Sequence, residues 1–133
     1  MVADGHLTDI PLESVYSGVV SLRGFRLVTF LGELNKLEVW ATDIGNAYLE
    51  AFTSEKVYII AGPELKERSG HILIISKALY GLRSSGARWH DRFSDCVSAL
   101  GFFPCKSEPD IWMRKMRDTY EYIAVYVDDL CMA

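Results

Sequence analysis

Apolar residues fall in short blocks separated by polar turns. Near the start, Pro11 suits the first turn of a helix, where its missing N–H would go unbonded in any case. Leu12, Val15, Tyr16 and Val19 then recur at helical spacing, and Leu27, Leu31 and Leu34 resume it after Gly24. Gly24 argues against one unbroken helix. LEVWATD, residues 37–43, is dense in β-formers and predicts a strand ending on Asp43. KVYIIAGP predicts a second strand closed by Gly62-Pro63, and HILIIS a third, with a charged loop between them. A strongly amphipathic helix is expected from Ser84, capped by Ser84 or Ser85, with Trp89, Phe93, Cys96, Val97 and Leu100 on one face. Gly101 followed by Phe102 suits a left-handed stop. IWMRK predicts a short strand. EYIAVYV alternates Ile123, Val125 and Val127 against Tyr122, Ala124 and Tyr126, then meets Asp128-Asp129. The last four residues read as an apolar half-strand with no polar terminator, as if a strand had been cut. No repeat or linker divides the chain, and the mixture of helices and hairpin-compatible strands predicts an α+β fold.

Composition narrows this only a little. The 133 residues suit one domain, and 50% hydrophobic content excludes intrinsic disorder. No apolar run reaches the roughly 18 residues of a membrane span. MVADGHLTD lacks a basic, apolar leader, so no secretory signal is expected. The net charge of −4 argues against tight nucleic-acid binding by this stretch alone, since phosphate neutralisation supplies most of such affinity. Cys96, Cys105 and Cys131 are odd in number and widely spaced, and they read as reduced, buried thiols of an intracellular protein. His6, His71 and His90 share no ligand spacing with one another or with a cysteine, so zinc is not expected.

Two features carry candidate chemistry. Asp128-Asp129 sets two carboxylates side by side in an apolar, strand-forming context. They could serve as a two-residue hairpin turn, although Asn-Gly or Asp-Gly would serve better, and like charges repel unless a cation is present. Asp43 ends an apolar strand before IGNAYL and could be an ordinary helix cap. Taken together they suggest a divalent-metal site, because Mg²⁺ takes hard oxygen ligands and two-metal phosphoryl transfer needs such carboxylates. Asp43 and Asp128 can meet only if their strands are neighbours.

WATDIGNAYLEA, SKALYGLRSSGARWHDRF, LGF and YIAVYVDDL occur in the order found in copia-type retrotransposon reverse transcriptases, and the chain resembles that family from about Val2 to its last residue. The resemblance implies part of a right-hand polymerase: an antiparallel palm sheet backed by helices, with part of the fingers, in one partial domain truncated at both ends. It implies RNA- and DNA-directed DNA synthesis by two-metal nucleotidyl transfer. Asp43 and Asp128 resemble the metal-bridging aspartates, and Asp129 their less engaged neighbour. Ile44 would offer a backbone carbonyl to a metal, and the amides around Asn46 and Ala47 would meet the incoming triphosphate. Tyr48 resembles the steric gate beneath the sugar. Tyr80 and Gly81 resemble the motif flanking the nascent pair, with Arg83 toward template or phosphate. The implied cofactor is a pair of Mg²⁺ ions, with Mn²⁺ able to substitute. The implied partners are a primed RNA or DNA template, deoxynucleoside triphosphates and the rest of a Pol polyprotein (thumb, RNase H and integrase), with no membrane. A cytoplasmic virus-like particle is the implied location.

The family commonly reads LYGLKQAPRAW where this chain reads LYGLRSSGARW, so Ser84-Ser85-Gly86 depart from the pattern at the template contacts. An isolated chain of this length is expected to polymerise poorly, since thumb, RNase H and integrase would lie outside it. The competing expectation is an inactive relic that keeps the palm core. A two-metal nuclease or phosphatase would call for further His or carboxylate ligands, which the tyrosine-bearing motif after Asp43 does not supply.

Overall fold

The computed structural model describes residues 10, 11 and 14–133. These divide into two units, one of residues 17–47 and 90–133, the other of residues 48–89 with the described residues before Ser17.

The first unit is built on a five-stranded antiparallel sheet. Its strands are β1 (Trp40–Asp43), β4 (Phe103–Cys105), β5 (Glu108–Met116), β6 (Thr119–Tyr126) and β7 (Asp129–Met132), and they lie in the order β1-β7-β6-β5-β4. The half-strand at the chain's end is thus interior, paired with β6 on one side and β1 on the other. Helix α1 (Leu22–Leu34) packs on β5, β6 and β7. Val20 and Val28 join Ile111, Tyr122, Ala124 and Cys131 in the core there. Successive strand residues face opposite ways, so Trp112 turns to the other face. There Phe93 of helix α2 (Ser85–Ala99) meets it edge-on, with ring centroids 6.2 Å apart. Coverage on both faces explains why Tyr122 through Val125 are all buried although their side chains alternate.

Among the described residues the expected helix from Pro11 to Val19 does not form. Leu12 lies outside the described residues, and residues 14–20 have no regular structure. The helix starts instead where Ser21 caps it, its hydroxyl accepting from the Gly24 N–H at 3.0 Å. Its inward face also differs from the expected leucine stripe. Gly24, Val28 and Gly32 are buried, while Leu27 and Leu34 are exposed and Leu31 is half-buried. Small residues win because the helix lies close to the sheet. A Cβ on Gly32 would sit 2.9 Å from both Ala133 Cβ and Val39 Cγ2.

Helix α2 ends as its sequence predicts. Gly101 takes φ 86°, its N–H bonds to Ser98 O, and the Phe102 N–H reaches Val97 O at 3.0 Å, the paired bonds of a left-handed stop. Arg114 adds a bond to Leu100 O and pairs with Glu121. Trp89, Phe93 and Val97 are buried as expected, but Cys96 and Leu100 are exposed. At the helix start neither serine hydroxyl accepts a capping bond: Ser85 Oγ donates to Leu79 O at 2.6 Å, and Ser84 Oγ is buried without a partner. The buried Asp110 carboxylate bonds His90 Nε2 at 3.1 Å and lies against Gly18, where a Cβ would collide with it. Of the three thiols only Cys131 is buried, which corrects the expectation of buried cysteines, and all three are free.

The second unit holds an antiparallel pair, β2 (Phe52–Ile60) and β3 (Ile72–Lys77), joined through a 3₁₀ segment at Pro63–Arg68. β2 starts four residues earlier than KVYIIAGP predicts. A register shift after Phe52 accommodates the extension, and the Lys77 ammonium sits 3.9 Å over the Phe52 ring.

Candidate active site

β6 and β7 form a hairpin whose two central residues are Val127 and Asp128, since Tyr126 pairs with Asp129. The turn therefore lies one residue earlier than an Asp128-Asp129 turn would, and Asp129 opens β7. This places Asp129 opposite Asp43 in the β1–β7 register. Residues directly opposite in an antiparallel pair put their side chains on the same face. Just beyond the ladder, the Ile44 N–H donates to the Asp128 carbonyl at 2.9 Å. The backbones of Asp43, Ile44, Asp128 and Asp129 thus converge at one end of the sheet, as neighbouring strands require. Asp43 and Asp129 are exposed, and Asp128 is half-buried.

Val127 is the residue that the sequence reading missed. Its φ is 58°, a left-handed value that a β-branched side chain rarely adopts, and Asp128 does not share it. Positive φ at the first central residue alone is the pattern of a type II′ turn, which prefers glycine there. The signal was available, as a valine in a two-residue turn between well-formed strands. Strain of this kind costs about 1–3 kcal/mol and clusters at working sites. Val127→Gly is therefore expected to stabilise the chain by about 1 kcal/mol after the added chain entropy of glycine. Urea unfolding checks this, and a lowered midpoint would mean that the valine's packing outweighs the strain.

Beside the hairpin lies a mostly apolar cleft of about 420 Å³, with Asp43, Thr42, Tyr126 and Asp129 near Val20 and Phe25 of the α1 end. Cys131 also lines it, and burial pushes this thiol above its ordinary pKa. Among the described residues no three His, Cys, Asp or Glu side chains gather closely enough to cage a metal ion. Mg²⁺ does not need such a cage: it is usually held by one or two carboxylates, completed by substrate phosphates and water. The opposed pair Asp43 and Asp129, with Asp128 and the Ile44 carbonyl at the same sheet end, is a donor set of hard oxygens that fits this kind of ion.

The remaining candidates fall as follows. Asn46 is exposed at φ 56°, and Ala47 is fully buried. In the second unit Tyr48 and Tyr80 meet, with ring centroids 4.7 Å apart and planes tilted by 43°. Gly81 takes φ 97°, a conformation that favours glycine, and Arg83 is exposed.

A family model described as reverse transcriptase (RNA-dependent DNA polymerase) matches residues 1–133. The chain is 25% identical over 117 residues to the retrovirus-related Pol polyprotein from transposon RE1 of Arabidopsis thaliana, covering 86% of this chain and 8% of that protein. It is 23% identical over 124 residues to the Pol polyprotein from transposon TNT 1-94 of Nicotiana tabacum, covering 91% and 9%. A putative transposon Ty5-1 protein of Saccharomyces cerevisiae is 29% identical over 93 residues, 68% of this chain and 30% of that one. The chain thus spans less than a third of each of these relatives. No solved structure matches. With the match running the whole length of the chain, and with relatives drawn from plant and yeast transposons, the chain belongs to the reverse transcriptase (RNA-dependent DNA polymerase) family.

Proposed function

We propose that this chain is the central part of a reverse transcriptase palm, with some of the fingers, that adds deoxynucleotides to a primer on RNA or DNA. The observation that carries the reading is the pairing of Asp43 with Asp129 beside the Val127–Asp128 turn. Hard carboxylate oxygens at one sheet end suit divalent cations and the phosphates that accompany them. Bound there, Mg²⁺ would neutralise charge on the reacting phosphate and lower the barrier to attack by the primer hydroxyl. The chain's own part is positional. Asp43, Asp128 and Asp129 would hold such ions through their carboxylates, with the Ile44 carbonyl beside them. A turn held on the neighbouring strand by the Ile44–Asp128 bond keeps these donors in register.

Asn46 and Ala47 offer backbone N–H groups for the triphosphate. Gly81, Tyr80 and Arg83 are assigned to the nascent pair and template. Thumb, RNase H and integrase regions, and a primed template, complete the working protein. Primer extension by a polymerase completed to full length around this chain, on both template types, tests the reading. Template-directed deoxynucleotide incorporation is expected, and its absence with intact folding would leave the relic reading.

Tyr48 follows Asp43 by five residues and is proposed as the gate against ribonucleotides. A rigid ring excludes a 2′-hydroxyl by contact, which discriminates between sugars without touching metal ligands. In the same full-length enzyme, Tyr48→Val should raise ribonucleotide use by roughly tenfold or more while most of the deoxynucleotide rate survives. An unchanged ratio in matched single-nucleotide incorporation would assign the ring to packing against Tyr80.

A further inference from the structure

We propose that Glu108 and Ser21 are positioning residues for the Val127–Asp128 hairpin, acting through one backbone bond from Val20 to β6. The inference rests on the polymerase reading in one respect: the hairpin is taken to carry working carboxylates.

The paired register of β5 and β6 runs from Met116–Thr119 to Ile111–Ala124 and goes no further. Past Ala124, strand β6 continues through Val125 and Tyr126 into the strained Val127. On this side the Val125 carbonyl accepts the Val20 N–H at 2.8 Å. On the other side the hairpin is held through β7 and by the Ile44 N–H on the Asp128 carbonyl. The tip is thus restrained from two directions, and the Val20 bond takes over where β5 leaves off.

Residues 14–20 have no regular structure, and Val20 is held both by its buried side chain and through its neighbour Ser21. The Glu108 carboxylate accepts the Ser21 N–H at one oxygen, 3.2 Å, and the Ser21 hydroxyl at the other, 2.8 Å. The same hydroxyl accepts the Gly24 N–H and so caps α1. A charged acceptor makes stronger bonds than a neutral one. It also places negative charge at a helix N-terminus whose own first turn holds no acidic residue. Gly24 leaves room for this: a Cβ there would come within 3.1 Å of Glu108 Cγ. Three elements distant in sequence (β5, the start of α1 and the end of β6) are therefore joined in one relay. Glu108 touches none of the proposed metal donors, so its effect is carried by the backbone.

Amide hydrogen exchange on the purified 133-residue chain tests the relay, with Val20 and Ile44 as reporters of the two restraints. Ser21→Ala and Glu108→Ala should each speed exchange at both amides by about fivefold to tenfold, the scale of a lost helix cap. The double variant should exchange faster than either single, because Ser21→Ala leaves the Ser21 N–H on Glu108 and Glu108→Ala leaves the Ser21 cap on Gly24, but by less than the product of the two effects, since both converge on the Val20 bond. Ser21→Thr, which keeps the hydroxyl, should restore protection. Amides in the middle of the β5–β6 ladder and in β2–β3 should keep their rates. If Glu108→Ala does not fold, Glu108→Gln preserves the packing and gives the same comparison. Unchanged exchange at Val20, acceleration at Val20 without Ile44, or uniform acceleration across the sheet would each overturn the proposal. Mn²⁺ affinity in Asp43→Asn tests the metal reading separately, so either inference can fail alone.

Discussion

Asp43→Asn is expected to lower deoxynucleotide incorporation by a full-length polymerase containing this chain by on the order of a thousandfold, since metal-assisted charge stabilisation is worth several kcal/mol and each 1.36 kcal/mol is tenfold in rate. Asparagine keeps the size of the side chain and one carbonyl oxygen but not the charge that a divalent cation requires. The sheet should tolerate the change. Asp43 sits directly opposite Asp129, and like charges in that relation are destabilising. Removing one should therefore raise stability by a few tenths of a kcal/mol, up to about 1. Loss of activity with a gain in stability marks a residue retained for chemistry against its own fold. Asp129→Asn should give the same sign in stability, since it relieves the same pair. Single-turnover incorporation and urea melts on the same variants check both halves. If Asp43→Asn kept the wild-type rate, the carboxylate would be a strand-end residue and the metal reading would fail. If it lost activity together with several kcal/mol of stability, the loss would belong to folding instead.

The separation between what the sequence declares and what it hides follows from the range of the forces involved. Locally determined features are legible. Gly101-Phe102 forms its left-handed stop because glycine alone tolerates that φ without strain, and the bonds it makes lie within five residues. Tyr122 to Tyr126 forms a strand from its own alternation. Features set by distant partners are not legible in this way. Val15, Tyr16 and Val19 have helical spacing but form no helix, because the cap that starts α1 is Ser21, tied to Glu108 far along the chain. Leu27 and Leu34 look like core residues, yet the close approach of α1 to Ala133 and Val39 puts Gly32 inward and leaves them out. The hairpin turn is the most telling case. Local preference favours aspartates in a turn, but pairing with β1 draws Asp129 into the ladder opposite Asp43 and pushes the turn back onto a valine. The strain at Val127 is thus a consequence of placing that carboxylate.

Phe93→Ala should destabilise the chain by about 3–5 kcal/mol, the usual cost of emptying an aromatic site in a packed core. Phe93 and Trp112 are 5% and 4% exposed, so little solvent stands ready to fill the space. Their rings meet edge to face at 74°, an arrangement worth roughly 0.5–1.5 kcal/mol beyond the area it buries. The contact also has a place in the sheet that makes its loss spread. Trp112 pairs with Ile123 on β6, two residues before Val125, so the helix presses on the strand that leads into the hairpin. Leu100, just past the end of the same helix and 62% exposed, is the internal control, and Leu100→Ala should change stability by no more than about 0.5 kcal/mol. Urea unfolding of the two variants side by side separates the assigned face from the sequence's own candidate list, which held both residues. A loss at Phe93 no larger than at Leu100 would mean that the helix is held by its ends, through the Gly101 stop and the His90–Asp110 pair, and that the ring contact contributes little. The larger loss is expected because both rings of the Phe93–Trp112 contact are buried, so truncation leaves an apolar gap in the core.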